Sequence, residues 1–209
     1  MFNKKKNQAY PQKGMSLPEL VVVGAIAGIL ILAVGTFQRN ILYFAGFIDK
    51  SLLGTQDARS VLRIMVREAR SASPSGIGAY PIAEAGTQSF AFYSDIDNDG
   101  IQERVRYFLS ATDLKKGVIE PTGSPLQYNP ASEQVTTLLA RNVQNGAQPV
   151  FTYYDTNYDG TTAPLSQPVT TATIRLVKIS IVIDADPNRE PAPKTFTSQV
   201  SLRNLKDNL

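Results

Sequence analysis

The chain contains neither cysteine nor histidine among its 209 residues. Without cysteine it has no disulfide, no zinc–thiolate site and no thiol nucleophile. Without histidine, the Ser–His–Asp and Cys–His catalytic arrangements are excluded. An enzyme would have to rely on carboxylates, lysine or tyrosine alone, and no such constellation converges in the sequence. We therefore expect a protein that is not an enzyme.

The sequence also lacks charged side chains over one long stretch. From Leu20 to Phe37 there is no charged side chain, and about 18 or more apolar residues are enough to cross a bilayer as a helix. We therefore predict a transmembrane segment over about residues 17–37. Glu19 stands at the edge of this run, where a carboxylate beside hydrocarbon is costly and is normally kept for a function or a partner.

Four lysines precede the apolar run, at positions 4, 5, 6 and 13. A secretory signal peptide also begins with a basic region, but this run is longer than an ordinary h-region and no Ala-x-Ala-like cleavage site follows it. A plain N-terminal membrane anchor, with its lysines held in the cytoplasm by the positive-inside rule, fits the orientation. Neither interpretation gives a reason for Gly14 or Glu19.

The stretch KGMSLPEL, which begins at Lys13, resembles the processing site of type IV pilins and type II secretion pseudopilins. In that family a membrane peptidase cuts after the glycine and methylates the new N-terminal amine. The resemblance implies cleavage between Gly14 and Met15, N-methylation of Met15, and Glu19 as the fifth mature residue, where the family places its glutamate. Met15 replaces the more common phenylalanine, and Pro18 replaces an aliphatic residue at a position where the first turn of a helix accommodates proline.

The resemblance implies a minor pilin or pseudopilin, most similar to the J-type minor pseudopilins and the W-type minor pilins. Residues 1–14 would be a cleaved leader, 15–73 an N-terminal helix, and 74–209 an extracytoplasmic β-rich domain. Glu19 would neutralise the amine of a neighbouring subunit among packed apolar helices and so fix the axial register of a filament. The chain would cross the bacterial inner membrane once, with its C-terminal domain outside the cytoplasm, and then enter the tip of a pilus or pseudopilus.

The partners implied by the resemblance are other pilins through the N-terminal helix, the prepilin peptidase, the inner-membrane assembly platform and membrane lipid. Nucleic acid is not indicated. Removing the four leader lysines from 21 basic residues leaves 17 against 18 acidic residues, a net charge of −1, whereas nucleic-acid binding calls for a basic patch on the folded domain. The alternative function is a signal-anchored extracytoplasmic domain that binds calcium or another ligand and never polymerises.

Beyond the apolar run the pattern remains helical. Apolar residues recur at the 3.6-residue period of one helix face, at Ala58, Val61, Leu62, Met65 and Ala69. The opposite face carries Arg59, Arg63, Arg67 and Arg70. This arginine stripe fits either a contact surface for neighbouring subunits or a solvated helix face.

After Ser73 the sequence changes to strands and turns. Strand patterns begin at Ser89, Arg104, Val150, Thr171 and Phe196. The first two flank the turn DIDNDG and predict a hairpin. Leu176 and Ile179 break the apolar alternation of a later strand, so a bulge or a change of face is expected near Val177 and Lys178. We predict an α+β fold in which a long N-terminal helix packs on an antiparallel sheet, as in pilins.

Two acidic turns carry the remaining candidate chemistry. The turn from Asp95 to Gly100 has the order D-x-D-x-D-G, and the turn from Asp155 to Gly160 repeats it with one asparagine. EF-hand calcium loops begin in this way but need a glutamate at position 12, which both turns lack. The candidate calcium ligands are Asp95, Asp97, Asp99, Glu103, Asp155, Asn157 and Asp159. The plainer interpretation is two hairpin turns, which favour Asp, Asn and Gly.

Overall fold

A computed structural model of the chain describes residues 14–184, 192–202 and 205. It divides into two units, Met1–Phe47 and Ile48–Leu209, and helix α1, Leu17–Arg70, contributes to both. Eight strands follow: β1 Ile82–Ala85, β2 Ser89–Ser94, β3 Glu103–Ser110, β4 Asp113–Ile119, β5 Gln134–Ala140, β6 Phe151–Tyr154, β7 Leu176–Ile183 and β8 Lys194–Ser201. Short 3₁₀ helices span Pro130–Ser132 and Thr171–Thr173.

The first unit is the apolar part of α1. The helix begins at Leu17, with the N–H groups of Glu19 and Leu20 both donating to the Ser16 carbonyl at 3.1 Å. Pro18 lies in the first turn, where its missing N–H costs no intrahelical bond. The segment Leu17–Gly46 is long and apolar enough to span a membrane, and its side chains are exposed throughout this unit. This near-N-terminal span contains the predicted transmembrane segment of residues 17–37.

The second unit contains two antiparallel sheets. Strands β1 to β5 form a five-stranded sheet in chain order, and β6, β7 and β8 form a three-stranded sheet, also in chain order. Chain neighbours therefore pair in both sheets, as between β2 and β3, where Ser94 pairs with Glu103 across the turn. The predicted α+β fold and its hairpin are confirmed.

One hydrophobic core joins the helix to both sheets. The predicted apolar face of α1 is buried in it, and the four arginines of the opposite face are exposed. Phe90 of β2 lies at the junction of the sheets, with ring centroids 5.2 Å from Phe92 and 5.7 Å from Phe151 of β6. Burial of large rings of this kind is the main favourable contribution to such a core.

A charged pair fastens the helix to the five-stranded sheet. Glu68 of α1 accepts a hydrogen bond from the Tyr107 hydroxyl at 2.6 Å and lies 2.8 Å from the Lys116 ammonium. Burial, followed by the negative charge of Glu68, raises the pKa of Tyr107, so the phenol stays a proton donor. The Glu68 carboxylate therefore has both a hydrogen-bond donor and a positive charge beside it. Without them, its burial next to the apolar face would cost free energy.

Near Val177 and Lys178 of β7 the predicted bulge is absent, and the predicted change of face is found. Val177 pairs with Tyr153 on one side and Val200 on the other, and Lys178 continues the same register on both sides. Buried and half-buried residues alternate without interruption along the strand. Val177 and Ile179 lie on the buried face, and Leu176 lies on the other face.

Candidate functional site

The predicted cleavage site lies just before the helix, in an open stretch of backbone. Gly14 and Met15 precede the first helical residue, and Met15 is 58% exposed. A Cβ placed on Gly14 would meet no atom within 4 Å, so nothing in the described chain shields this peptide bond. Lys13 and the rest of the predicted leader lie outside the described residues. The accessibility that a peptidase needs is present at Gly14.

Glu19 occupies the third position of the helix. Its carboxylate accepts a hydrogen bond from the Ser16 backbone N–H at 3.4 Å, which is one half of a capping box, the Ser-x-x-Glu arrangement found at helix starts. This local role was not predicted, although the spacing of Ser16 and Glu19 signals it. Among the described residues, no lysine or arginine forms an ion pair with Glu19.

The apolar surface that follows Glu19 is exposed within its own unit. Its large side chains are half to three-quarters exposed, as at Leu20 (64%) and Ile31 (72%). A Cβ added at Gly24 or Gly28 would meet nothing within 4 Å, so this small-xxx-small pair leaves room for another helix to approach. The Thr36 hydroxyl donates to the carbonyls of the preceding turn and is therefore tolerated in hydrocarbon.

The far end of the apolar segment carries residues typical of a membrane interface. Arg39 is the first charged residue after Glu19, and its long stem can carry the charge towards water. Tyr43 and Phe44 follow, with ring centroids 6.4 Å apart in an edge-to-face arrangement. Aromatic rings with a polar group are enriched at the level of lipid headgroups. Glu19 and Arg39 thus bracket the apolar helix.

The first acidic turn brings its three aspartates together. One carboxylate oxygen from each of Asp95, Asp97 and Asp99 lies within 4.8 Å of the others. The Asp95 carboxylate accepts backbone N–H groups from Asn98 and Gly100 at 2.6 and 3.0 Å. These bonds shape the turn in the manner of an Asx-turn. The same geometry therefore serves a hairpin and leaves three carboxylates on one side of it.

Glu103 lies beneath this turn and is not part of the aspartate group. It is 3% exposed, and its carboxylate accepts the Ile96 N–H at 2.9 Å. Burial raises its pKa, and the negative charges of Asp97 and Asp99 add to that effect. A cation at the turn would relieve this repulsion. Glu103, predicted as a calcium ligand, therefore also holds the start of the turn through Ile96.

The second acidic turn is arranged differently. Asp155 accepts the backbone N–H and the side-chain amide of Asn157 at 2.9 and 3.1 Å. One oxygen of Asp159 accepts both the N–H and hydroxyl groups of Thr161 and Thr162, at 2.7 to 2.9 Å. These bonds, led by the Thr162 hydroxyl, lower the pKa of Asp159. The carboxylates of the second turn therefore accept more hydrogen bonds from their own turn than those of the first turn do.

The comparisons with known proteins give no family for this chain. No protein-family model matches it, and no curated protein matches it either.

Proposed function

We propose that the chain is a minor pilin or pseudopilin, a non-enzymatic filament subunit that is processed after Gly14. The observation that carries this proposal is the order of features at the N-terminus. An unshielded Gly14 is followed five residues later by Glu19, and then by an apolar helix whose side chains are exposed within their own unit. A membrane anchor needs the apolar helix alone, whereas a filament subunit needs all three.

The first step is cleavage in the membrane. Removal of residues 1–14 frees the amine of Met15, and Glu19 lies about one helical turn away from it. A new positive charge then stands beside a carboxylate that has no cationic partner within the described residues. In an assembly, Glu19 of one subunit pairs with the methylated amine of the next, because an unpaired charge among apolar helices is heavily penalised.

The second step is transfer from lipid to a helical assembly. The apolar segment is solvated by lipid before assembly and by neighbouring helices after it, so its exposed side chains stay out of water throughout. The open surface at Gly24 and Gly28 lets helices approach closely. The folded unit that follows, with its own core, is carried outside the cytoplasm. Its location at the filament tip remains part of the proposal.

Mass spectrometry of the protein purified from membranes tests the processing step. We expect a mature chain that starts at N-methylated Met15. Gly14→Ala should be cleaved more efficiently than Gly14→Leu, because the peptidase must approach the backbone closely. A chain that retains Met1, or that is cut beyond Phe37, would overturn the proposal.

Two substitutions of Glu19 separate its charge from its helix-capping role. Glu19→Leu removes both, whereas Glu19→Gln keeps an acceptor for the Ser16 N–H and removes the charge. Both variants should insert and be cleaved, and both should fail to assemble, as judged by cross-linking of neighbouring subunits in membranes. If Glu19→Gln assembles like the unaltered protein, Glu19 caps the helix and has no role in register.

The second candidate function is a membrane-anchored domain that binds calcium. The observation in its favour is the group of three aspartate carboxylates within 4.8 Å at the first acidic turn. A non-polymerising anchor would keep its leader, would bind calcium with Asp97 as a required ligand, and would be indifferent to both Glu19 variants. The same mass-spectrometric measurement therefore distinguishes the two functions.

A further inference from the structure

Strand β8 leaves one edge of the three-stranded sheet unpaired within the described part of the chain. Its register with β7 runs from Leu176–Ser201 to Ile183–Lys194, and no other described strand pairs with it. The opposite edge of the sheet is tied down, because the N–H groups of Val150 and Phe151 donate to the Thr87 carbonyl at 2.9 and 3.0 Å. An open edge presents alternate N–H and C=O groups to any extended chain.

A groove lies beside this edge, between β8 and helix α1. Its volume is about 530 Å³, and it is lined by Arg59, Leu62, Arg63, Phe196, Thr197 and Ser198. Leu62 is buried and Phe196 is half-buried, so the floor is apolar. The two arginines are exposed and form the rim on the helix side. The groove therefore combines backbone hydrogen-bonding groups, an apolar floor and positive charge.

The two arginines of the rim have no carboxylate partner among the described residues. They lie four residues apart on the same side of α1, and like charges at this spacing destabilise a helix slightly. Arg106, in contrast, has its negative partner in Glu133. Within the described part of the chain, the charge at the groove is therefore left without a negative partner.

The spacing of the arginines matches that of an extended chain. Four residues of helix rise about 6 Å, and two residues of strand rise about 6.6 to 6.8 Å, after which the side chain faces the same side again. Acidic residues at alternate positions of a strand laid along β8 would meet Arg59 and Arg63 in turn. The aliphatic parts of those acidic side chains would lie on Leu62 and Phe196.

We propose that the groove between β8 and α1 is a docking site for an extended segment of a partner protein that carries acidic side chains at alternate positions. The segment adds a strand to the edge of β8, and its carboxylates pair with Arg59 and Arg63. Main-chain hydrogen bonds supply most of the affinity, and the arginines supply the preference for an acidic sequence. This docking does not depend on whether the chain enters a filament.

A peptide of alternating glutamate and threonine tests the proposal. Its fluorescence anisotropy is followed on titration with the full chain in nanodiscs of zwitterionic lipid. We expect saturable binding, weakened about fivefold by the double substitution Arg59→Gln and Arg63→Gln. Arg70→Gln, a substitution of an exposed arginine outside the groove, should leave the affinity unchanged.

Two altered peptides separate strand addition from simple charge attraction. A peptide with the same glutamates but N-methylated at alternate amides along one edge should not bind, because it cannot pair with β8 through that edge. A second peptide carries glutamine in place of glutamate. Its affinity for the unaltered chain should be about the same as the affinity of the acidic peptide for the double variant. Equal binding of the N-methylated and unmethylated peptides would overturn the proposal.

Discussion

The two ends of helix α1 share a backbone conformation and differ in what surrounds them. Between Leu17 and Gly46 the apolar side chains cover every side of the helix and remain exposed. Between Ala58 and Ala69 the apolar residues form one buried face and arginines form the other. A helix that is apolar all round requires an apolar medium on all sides, whereas an amphipathic helix needs one partner surface. The second end finds that surface in the two sheets of its own chain, and the first end does not find it within its unit.

The two glutamates of the helix repeat this difference. Glu68 has a lysine at 2.8 Å and a tyrosine hydroxyl at 2.6 Å. Glu19 has one weak hydrogen bond to the backbone of Ser16. The carboxylate of the amphipathic end is therefore satisfied inside the chain, while that of the apolar end depends on its surroundings. This contrast supports a partner for Glu19 in the assembled state.

The largest expected effect comes from truncating a core side chain of the amphipathic end. Met65 is 1% exposed, so Met65→Ala should cost about 2–5 kcal/mol of unfolding free energy. The matched control, Leu30→Ala, lies in the apolar end and should leave the domain's melting temperature unchanged. Near-UV circular dichroism of the full chain in detergent measures both. A destabilised Leu30→Ala would show that the apolar end packs on the domain.

The next effect concerns the two glutamates. Glu68→Gln keeps an acceptor for Tyr107 and leaves the Lys116 ammonium, 14% exposed, without its charge partner. We expect a loss of about 1–3 kcal/mol. Glu19→Gln should leave the melting temperature of the domain unchanged, although it abolishes assembly in the proposed function. Equal loss in both variants would contradict the distinction between an internal and an external partner.

Periodicity predicted the features that repeat locally along the chain. The buried face of α1 follows from apolar residues at 3.6-residue spacing, and the β2–β3 hairpin follows from two alternating strands around a turn rich in Asp and Gly. The Gly14–Glu19 spacing is likewise visible in sequence. Cleavage after Gly14 requires a peptidase, and pairing of Glu19 requires a neighbouring subunit. The fold of one chain contains neither.

Strands β1, β4 and β5 were missed for a physical reason that β4 illustrates. Its buried positions are Leu114, Gly117 and Ile119. The register with β5 shifts between Leu114 and Lys116, so the period of two is broken, and one of the buried positions is a glycine. A Cβ at Gly117 would collide with the Glu133 carboxylate. Glu133 is held there by Arg106 of β3, whose Nε donates to it at 2.8 Å. The glycine is therefore explained by a contact between distant residues that no local pattern encodes.

Calcium offers a comparison within the domain, between its two acidic turns. Three carboxylates converge in the Asp95 turn, whereas Asp159 of the other turn is engaged by Thr161 and Thr162. We expect calcium at ten times its Kd to stabilise the domain by about 1.4 kcal/mol, a shift of about 3–5 °C. Asp97→Asn should abolish the shift and Asp155→Asn should preserve it. Without any shift at millimolar calcium, the aspartates serve backbone geometry alone.

The smallest effect is acid sensitivity, which again separates the domain from the apolar end of the helix. The hydrogen bond from Arg106 lowers the pKa of Glu133 below its ordinary value of 4.5. The stability that this carboxylate adds is therefore complete above about pH 4.5 and is lost as the pH falls through the lowered pKa of the folded state. Glu133→Gln should reduce the fall in melting temperature between pH 5 and pH 3 by about 2 °C, on the order of 1 kcal/mol or less for a partly exposed pair.

Glu103→Gln should steepen that fall, because burial raises the pKa of Glu103 and its protonation stabilises the folded state in acid. Glu19→Gln should leave the acid profile of the domain unchanged, and a flattened profile in that variant would place Glu19 in contact with the folded unit.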